Sequence, residues 1–187
     1  MNSSKKQSIY QIRVTLLGLR PPVWRLLQVA SGTRLADFST VLQLAMGWTN
    51  IHLHQFERHG LRYGTPDPQS PDDTCRESDF TLDDLLQEVG DTLLYRYDFG
   101  DDWVHKVRLE KVLAFDERLP LPLCLRGRRA CPMENVGGTS GYKDFLVTYT
   151  DPVHPGHAEL LAWIEGQFDP EHFDVGQAND ALGEYCR

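Results

Sequence analysis

Long apolar runs are missing from this sequence. No stretch approaches the roughly 18 residues that a bilayer-spanning helix needs, so a membrane-embedded protein is not expected. Met1 to Gln7 is polar and lacks the apolar run of a secretory signal. Cysteine is sparse, at four, and Cys124 and Cys131 are seven apart, unlike the two-residue gaps of zinc ribbons. A cytosolic protein with reduced thiols is the expectation. Basic charge is also short, 19 Lys and Arg against 27 Asp and Glu, for a net charge of −8. A broadly basic nucleic-acid binder is disfavoured, which makes duplex DNA an unlikely partner, and so is a protein that docks on anionic membranes. The deficit is local: residues 1–143 carry 18 bases and 18 acids, whereas 144–187 carry nine acids and Arg187 alone. No G-x-S-x-G elbow occurs, and Cys75 and Cys186 stand in a loop and beside the last residue. A Ser or Cys hydrolase is therefore not supported. Internal repeats and low-complexity tracts are absent.

What remains is an ordinary globular composition, 41% hydrophobic and 25% charged, over a length that suits one domain. IYQIRVTLL at 9–17 alternates apolar and polar residues as a strand does, and WRLLQVA at 24–30 reads as its partner. Thr33 offers an N-cap to a helix over 34–46, with Leu35, Phe38, Val41, Leu42, Ala45 and Met46 as its apolar stripe and Gly47 as its stop. IHLHQFER at 51–58 alternates again. From Gly64 to Asp79 almost nothing is apolar, which reads as a dispensable surface loop. Thr81 caps a short helix that runs to Gly90, and LLYRYDF with WVHKVRLEKVLAF makes a hairpin turning at Gly100-Asp101-Asp102. A loop rich in Gly, Pro and Arg is expected over 116–141, followed by acidic helices near 142–149, 156–164 and 174–185. Residues 1–8 are expected to be a disordered tail, and 9–187 one domain. The irregular alternation of strands and helices predicts an α+β fold, a mixed but largely antiparallel sheet with helices packed on it.

Three segments carry residues capable of chemistry. On a strand, His52 and His54 would share a face, with side chains roughly 7 Å apart. Two imidazoles so placed can share a divalent metal if a third ligand comes from elsewhere; they also fit polar positions opposite Ile51 and Leu53. Around the hairpin turn, Asp98, Asp101 and Asp102 lie close to Trp103 and His105. His105 can complete the metal set, or act as a general base oriented by Asp98 or Asp101. Turn chemistry alone accounts for Gly100 and some of the aspartates. Finally, Arg126, Arg128 and Arg129 with Cys131, Glu134, Gly137, Gly138 and Gly141 precede a helix. Such a stretch can cradle a small anion or phosphate, or be a tight loop with a solvated basic face.

Taken in order, IYQIRVTLLGLRPPVWRLLQV, LADFSTVLQLAMGWTNIHLHQF, YRYDFGDDWVHKVRLEKVL, CLRGRRACPMENVGG with GYKDF, and FDPEHFD resemble the plasmid pRiA ORF-three-like family, also labelled the insertion-sequence passenger TnpR family. The resemblance spans about residues 9 to 183 and implies a compact α+β domain associated with plasmids and mobile elements, without an assigned activity. It does not imply recombinase chemistry, since the chain shows no basic DNA-binding tail. The family pattern Cys-Pro-Pro-Glu-Asp reads Cys131-Pro132-Met133-Glu134-Asn135 here, and Val136 stands where some members carry a cysteine. A metal site on those two changed positions is not expected. The function expected is a non-catalytic binding or interaction module, taking a protein partner or a small anionic ligand. The alternative is a metal-dependent hydrolase using His52, His54 and His105 with Asp98 or Asp101.

Overall fold

The computed structural model describes residues 7–67, 73–164 and 167–185. The alternating segments pair as their patterns require. Strand β1 (Ser8–Leu16) lies between β2 (Trp24–Ala30) and the long β7 (Trp103–Ala114), antiparallel to both. Strand β3 (His54–Arg58) turns through His59 and Gly60 into β4 (Leu61–Gly64), and β6 (Thr92–Tyr97) joins β3 to β7. With β5 (Cys75–Arg76) and β8 (Leu123–Arg128), they form one eight-stranded sheet in the order β5-β4-β3-β6-β7-β1-β2-β8. Every pairing is antiparallel except β4 with β5. The fold is α+β.

Helix α1 (Leu35–Met46) buries the whole predicted stripe, Leu35, Phe38, Val41, Leu42, Ala45 and Met46. These side chains join Ile12, Val14, Leu27, Phe56, Tyr95 and Val107 of the sheet in one core, with Phe38 stacked 6.2 Å from Phe56. Gly47 ends the helix at φ 95°, its amide donating to Gln43. The start differs from expectation. The cap residue is Arg34, with no side-chain bond, and the amide of Leu35 instead donates to the carbonyl of Phe80 at 3.0 Å. That acceptor comes from the turn before α2 (Leu82–Leu85), where Thr81 and Asp84 make a reciprocal capping box. A helix end that finds a tertiary partner has no need of a hydroxyl cap.

Three boundaries predicted from sequence move. The 116–141 loop contains β8, which pairs with β2 from Trp24↔Arg128 to Gln28↔Leu123. The supposedly dispensable 64–79 segment contains β5 and a single helical turn, Glu77–Asp79, whose Glu77 is buried. Of the expected tail, residues 1–6 lie outside the described residues, while Ser8 already belongs to β1 and pairs with Ala114. The C-terminal helices form as α3 (Gly138–Thr150), α4 (His157–Trp163) and α5 (Val175–Tyr185). No helix among the described residues is long and apolar enough to cross a membrane.

Candidate functional site

The core face of β3, β6 and β7 is a wall of rings. The registers Phe56↔Tyr95 and Tyr95↔His105, with His54↔Tyr97 and Tyr97↔Trp103, align these side chains on one face of the sheet. Trp48, which follows α1, stacks on Tyr97 at 5.0 Å and meets His105 edge-on at 5.3 Å. Its indole N–H donates to the carbonyl of Pro132 at 2.8 Å. Trp103 is completely buried in this wall, 5.9 Å from Trp48, so it serves the core and not a surface.

The segment before β3 reverses the pattern expected of it. Asn50 takes a left-handed conformation (φ 57°), and the strand starts only at His54. His52 is therefore not on the strand. Ile51 and Leu53, the residues expected inside, are 66% and 68% exposed, while both imidazoles turn inward. His54 Nε2 lies 2.9 Å from a carboxylate oxygen of the buried Glu77. His52 Nε2 lies 3.6 Å from Asp98 Oδ2 and has no hydrogen bond among the described residues. Both line an open cleft of about 400 Å³, with Asn50, Gln55, Leu53 and Phe99 beside them.

Asp98 holds this arrangement in place. It sits at φ 55° in the β6–β7 turn, and its Oδ1 accepts the amide of Gly100 at 2.9 Å. Its own amide donates to the carbonyl of Leu53 at 2.9 Å, tying the hairpin tip to the histidine segment. Glu134 performs the matching task behind the wall, accepting from the Tyr97 hydroxyl and from the Thr49 hydroxyl at 2.5 Å. Burial, with that carboxylate beside it, holds the Tyr97 phenol protonated well above its usual range.

The three-histidine metal set does not assemble. His105 lies on β7 and His54 on β3, with β6 between them, a separation of about 9.6 Å between strand axes. The ring of Tyr95 stands 5.7 Å from one imidazole and 5.6 Å from the other. Two nitrogens binding one zinc ion must each come within about 2.1 Å of it. Among the described residues, no three His, Cys, Asp or Glu side chains gather to hold a metal. His105 is fully buried, and burial lowers its pKa from 6.5 to about 4, so it is a neutral core imidazole.

The arginine–glycine stretch is divided as well. Gly137 and Gly138 take positive φ at the start of α3, where the hairpin turn presses on them. Asp101 Oδ2 accepts the Gly137 amide at 3.2 Å, and a Cβ on Gly138 would stand 2.2 Å from the Asp101 carbonyl oxygen. Of the two readings of this stretch, the anion cradle loses the amide of the N-cap residue Gly137, which is bonded to the chain's own carboxylate. Arg129 is turned inward, bonded to the carbonyls of Pro21 and Pro170 and paired with Glu171 at 3.0 Å. Arg126 and Arg128 are exposed on β8 and do not converge with it. Cys131 is a thiol whose pKa burial pushes upward, which opposes a nucleophilic role.

Sequence reasoning missed Trp48, Glu77 and Arg25. Trp48 adjoins the histidine segment, and its aromatic character was a usable signal. Glu77 carried none, because it lay in a segment with almost no apolar residue to anchor it.

The eight-stranded sheet with its aromatic wall and paired-histidine cleft defines an α+β protein with a preformed pocket at the N-terminal end of β3. Residues 8–177 match the family described as plasmid pRiA4b ORF-3-like protein, and the chain belongs to that family. It is 35% identical over 180 residues to the uncharacterized protein y4hQ of Sinorhizobium fredii, covering 95% of this chain and 92% of that protein. It is also similar to a crystal structure of a protein of unknown function, MM3350 from Methanosarcina mazei Go1. The TM-score is 0.83 at 32% identity, with 91% of this chain and 97% of that one covered.

Proposed function

We propose that this protein is a non-catalytic binding module and that the His52–His54 cleft receives an extended segment of a partner polypeptide. The observation carrying this reading is the inverted exposure before β3. Ile51 and Leu53 stand in solvent, Phe99 across the cleft is 52% exposed, and the imidazoles point into the floor between their carboxylates. Exposed apolar side chains beside oriented polar groups are what a recognition site presents, apolar contact giving affinity and the polar groups register. The rigid wall of Trp48, Tyr97 and Trp103 keeps that geometry fixed before binding, which lowers the cost of ordering it.

The metal-dependent hydrolase reading has the two His–carboxylate pairs in its favour, but no third ligand among the described residues joins them. The binding reading is tested by selecting peptides from a displayed random library on the purified protein. Selected peptides should lose binding to a Leu53→Asp, Phe99→Asp double variant whose thermal transition matches the wild type. Peptides bound equally by both proteins would overturn the assignment of this cleft.

A further inference from the structure

Arg25 is the most deeply buried Lys, Arg, Asp or Glu side chain among the described residues, at 1% exposure. A buried guanidinium is costly unless it is paired or fully hydrogen-bonded. No carboxylate among the described residues pairs with it. Its Nε donates to the carbonyl of Ala45 at 2.8 Å, and Nη1 donates to those of Trp24 and Arg128 at 2.9 and 3.1 Å. Nη2 makes no hydrogen bond among the described residues and is not one of their fully enclosed unpaired atoms, so it keeps a point of contact with solvent. The ring of Phe173 covers one face of the guanidinium at 3.9 Å, an arrangement that requires Gly127, since a Cβ there would stand 2.5 Å from that ring. The ionisable groups nearest its charge include the thiols of Cys124 and Cys131, both held neutral by burial.

This uncompensated cation stands in the wall of a second cleft, about 240 Å³, between the end of α1 and the first turns of α5. The cleft shares no lining residue with the one at His52 and His54. Leu44, Met46, Phe173, Ala178 and Ala181 make most of its surface apolar. Asp174 is on the rim, but its Oδ1 accepts the amides of Gly176 and Gln177 at 2.6 and 3.1 Å, which commits it to the start of α5.

We propose that this cleft binds a small apolar carboxylic acid, with the carboxylate accepting from Nη2 of Arg25 and the hydrocarbon part lying against Met46, Phe173 and Ala181. One guanidinium donor in a largely apolar wall, with His172, Asp174 and Gln177 as the other polar side chains of the lining, suits a monovalent carboxylate. A phosphate needs several donors around its oxygens. The volume falls below the roughly 300–1,000 Å³ of pockets for drug-sized ligands, which sets the ligand as small.

The test uses the full chain with hexanoate as probe and hexanamide as its neutral counterpart, followed by titration calorimetry at low salt. Hexanoate should bind, and hexanamide should bind about tenfold or more weakly, the worth of one charge-assisted hydrogen bond. Ala181→Leu fills the cleft without touching the hydrogen bonds of Arg25, and should weaken hexanoate about tenfold or more. On the wild-type protein, which avoids any question of folding, hexanoate should show nuclear Overhauser contacts to the methyl groups of Met46 and Ala181. Equal affinity for acid and amide would overturn the proposal, as would contacts confined to another surface such as Arg126 and Arg128. So would no hexanoate binding up to about 10 mM, a weaker affinity than one charged contact in an apolar cleft implies.

Discussion

Substituting His105 and lowering the pH probes the aromatic wall with a number attached. The imidazole is 1% exposed, its Nδ1 lies 3.3 Å from the carbonyl of Tyr95, and its Nε2 has no partner among the described residues. Desolvation lowers its pKa from 6.5 to about 4, and the charge of Arg25 adds to the effect. In the folded state the ring therefore resists the proton, while the unfolded chain accepts it at the ordinary value. Stability from this group is complete above pH 6.5, declines as the pH falls toward 4, and is lost below that. At about 1.4 kcal/mol for each pH unit between those values the full loss is about 3 kcal/mol, of which about 2 kcal/mol is lost by pH 4.5. Asparagine at this position keeps an N–H for the Tyr95 carbonyl and does not titrate. Urea unfolding of wild type and His105→Asn at pH 7 and pH 4.5 isolates the group, because the carboxylates common to both proteins cancel in the difference. The stability advantage of the wild type should shrink by about 2 kcal/mol between the two conditions. An advantage constant to within about 0.5 kcal/mol would refute a neutral, desolvated imidazole in the wall.

Gly138→Ala puts a Cβ 2.2 Å from the Asp101 carbonyl at a φ of 66°. It should cost about 3 kcal/mol or more by thermal or urea unfolding, whereas Gly32→Ala, with nothing within 4 Å, should stay within about 0.5 kcal/mol. Tyr97→Phe removes a donor to Glu134 while leaving both bonds from Thr49. The expected loss is about 1–2 kcal/mol in urea, and a neutral result would mean that this bond holds nothing in place. Because no three ligands converge among the described residues, protein dialysed after purification should carry no stoichiometric zinc, manganese or nickel by elemental analysis. Chelator should likewise leave its thermal transition unmoved, and one retained equivalent would restore the metal reading.

Much of the framework was legible in the sequence because it depends on local periodicity. The stripe from Leu35 to Met46, the glycine stop at Gly47 and the hairpin around Asp98–Asp102 each require only neighbouring residues to be read together. Strand β8 was not legible: Leu123–Arg128 has a weak alternation, and it is a strand because β2 offers it an open edge. The helix cap failed for the same kind of reason. The first amide of α1 is satisfied by Phe80, which is 45 positions away in the chain, and no local pattern records such a partner.

The candidate sites divide along the same line. From the sequence alone came the α+β class, the family motifs and a list of candidate histidines, aspartates and arginines. It also located the acidic excess after Lys143. Which of those side chains meet was decided only in three dimensions. Strand β6 inserted between β3 and β7 parts His54 from His105, a left-handed turn at Asn50 exchanges the inside and outside of the segment 51–53, and Asp101 accepts the amide of Gly137 at the start of α3. Arg25 shows the limit most clearly. In sequence it is one of several arginines, and only the packing of Ala45, Arg128 and Phe173 around it leaves a buried charge with no carboxylate partner among the described residues. Periodicity records which face of an element is apolar, but the neighbour on that face, and hence the charge balance within it, is set by contacts between residues far apart in the chain.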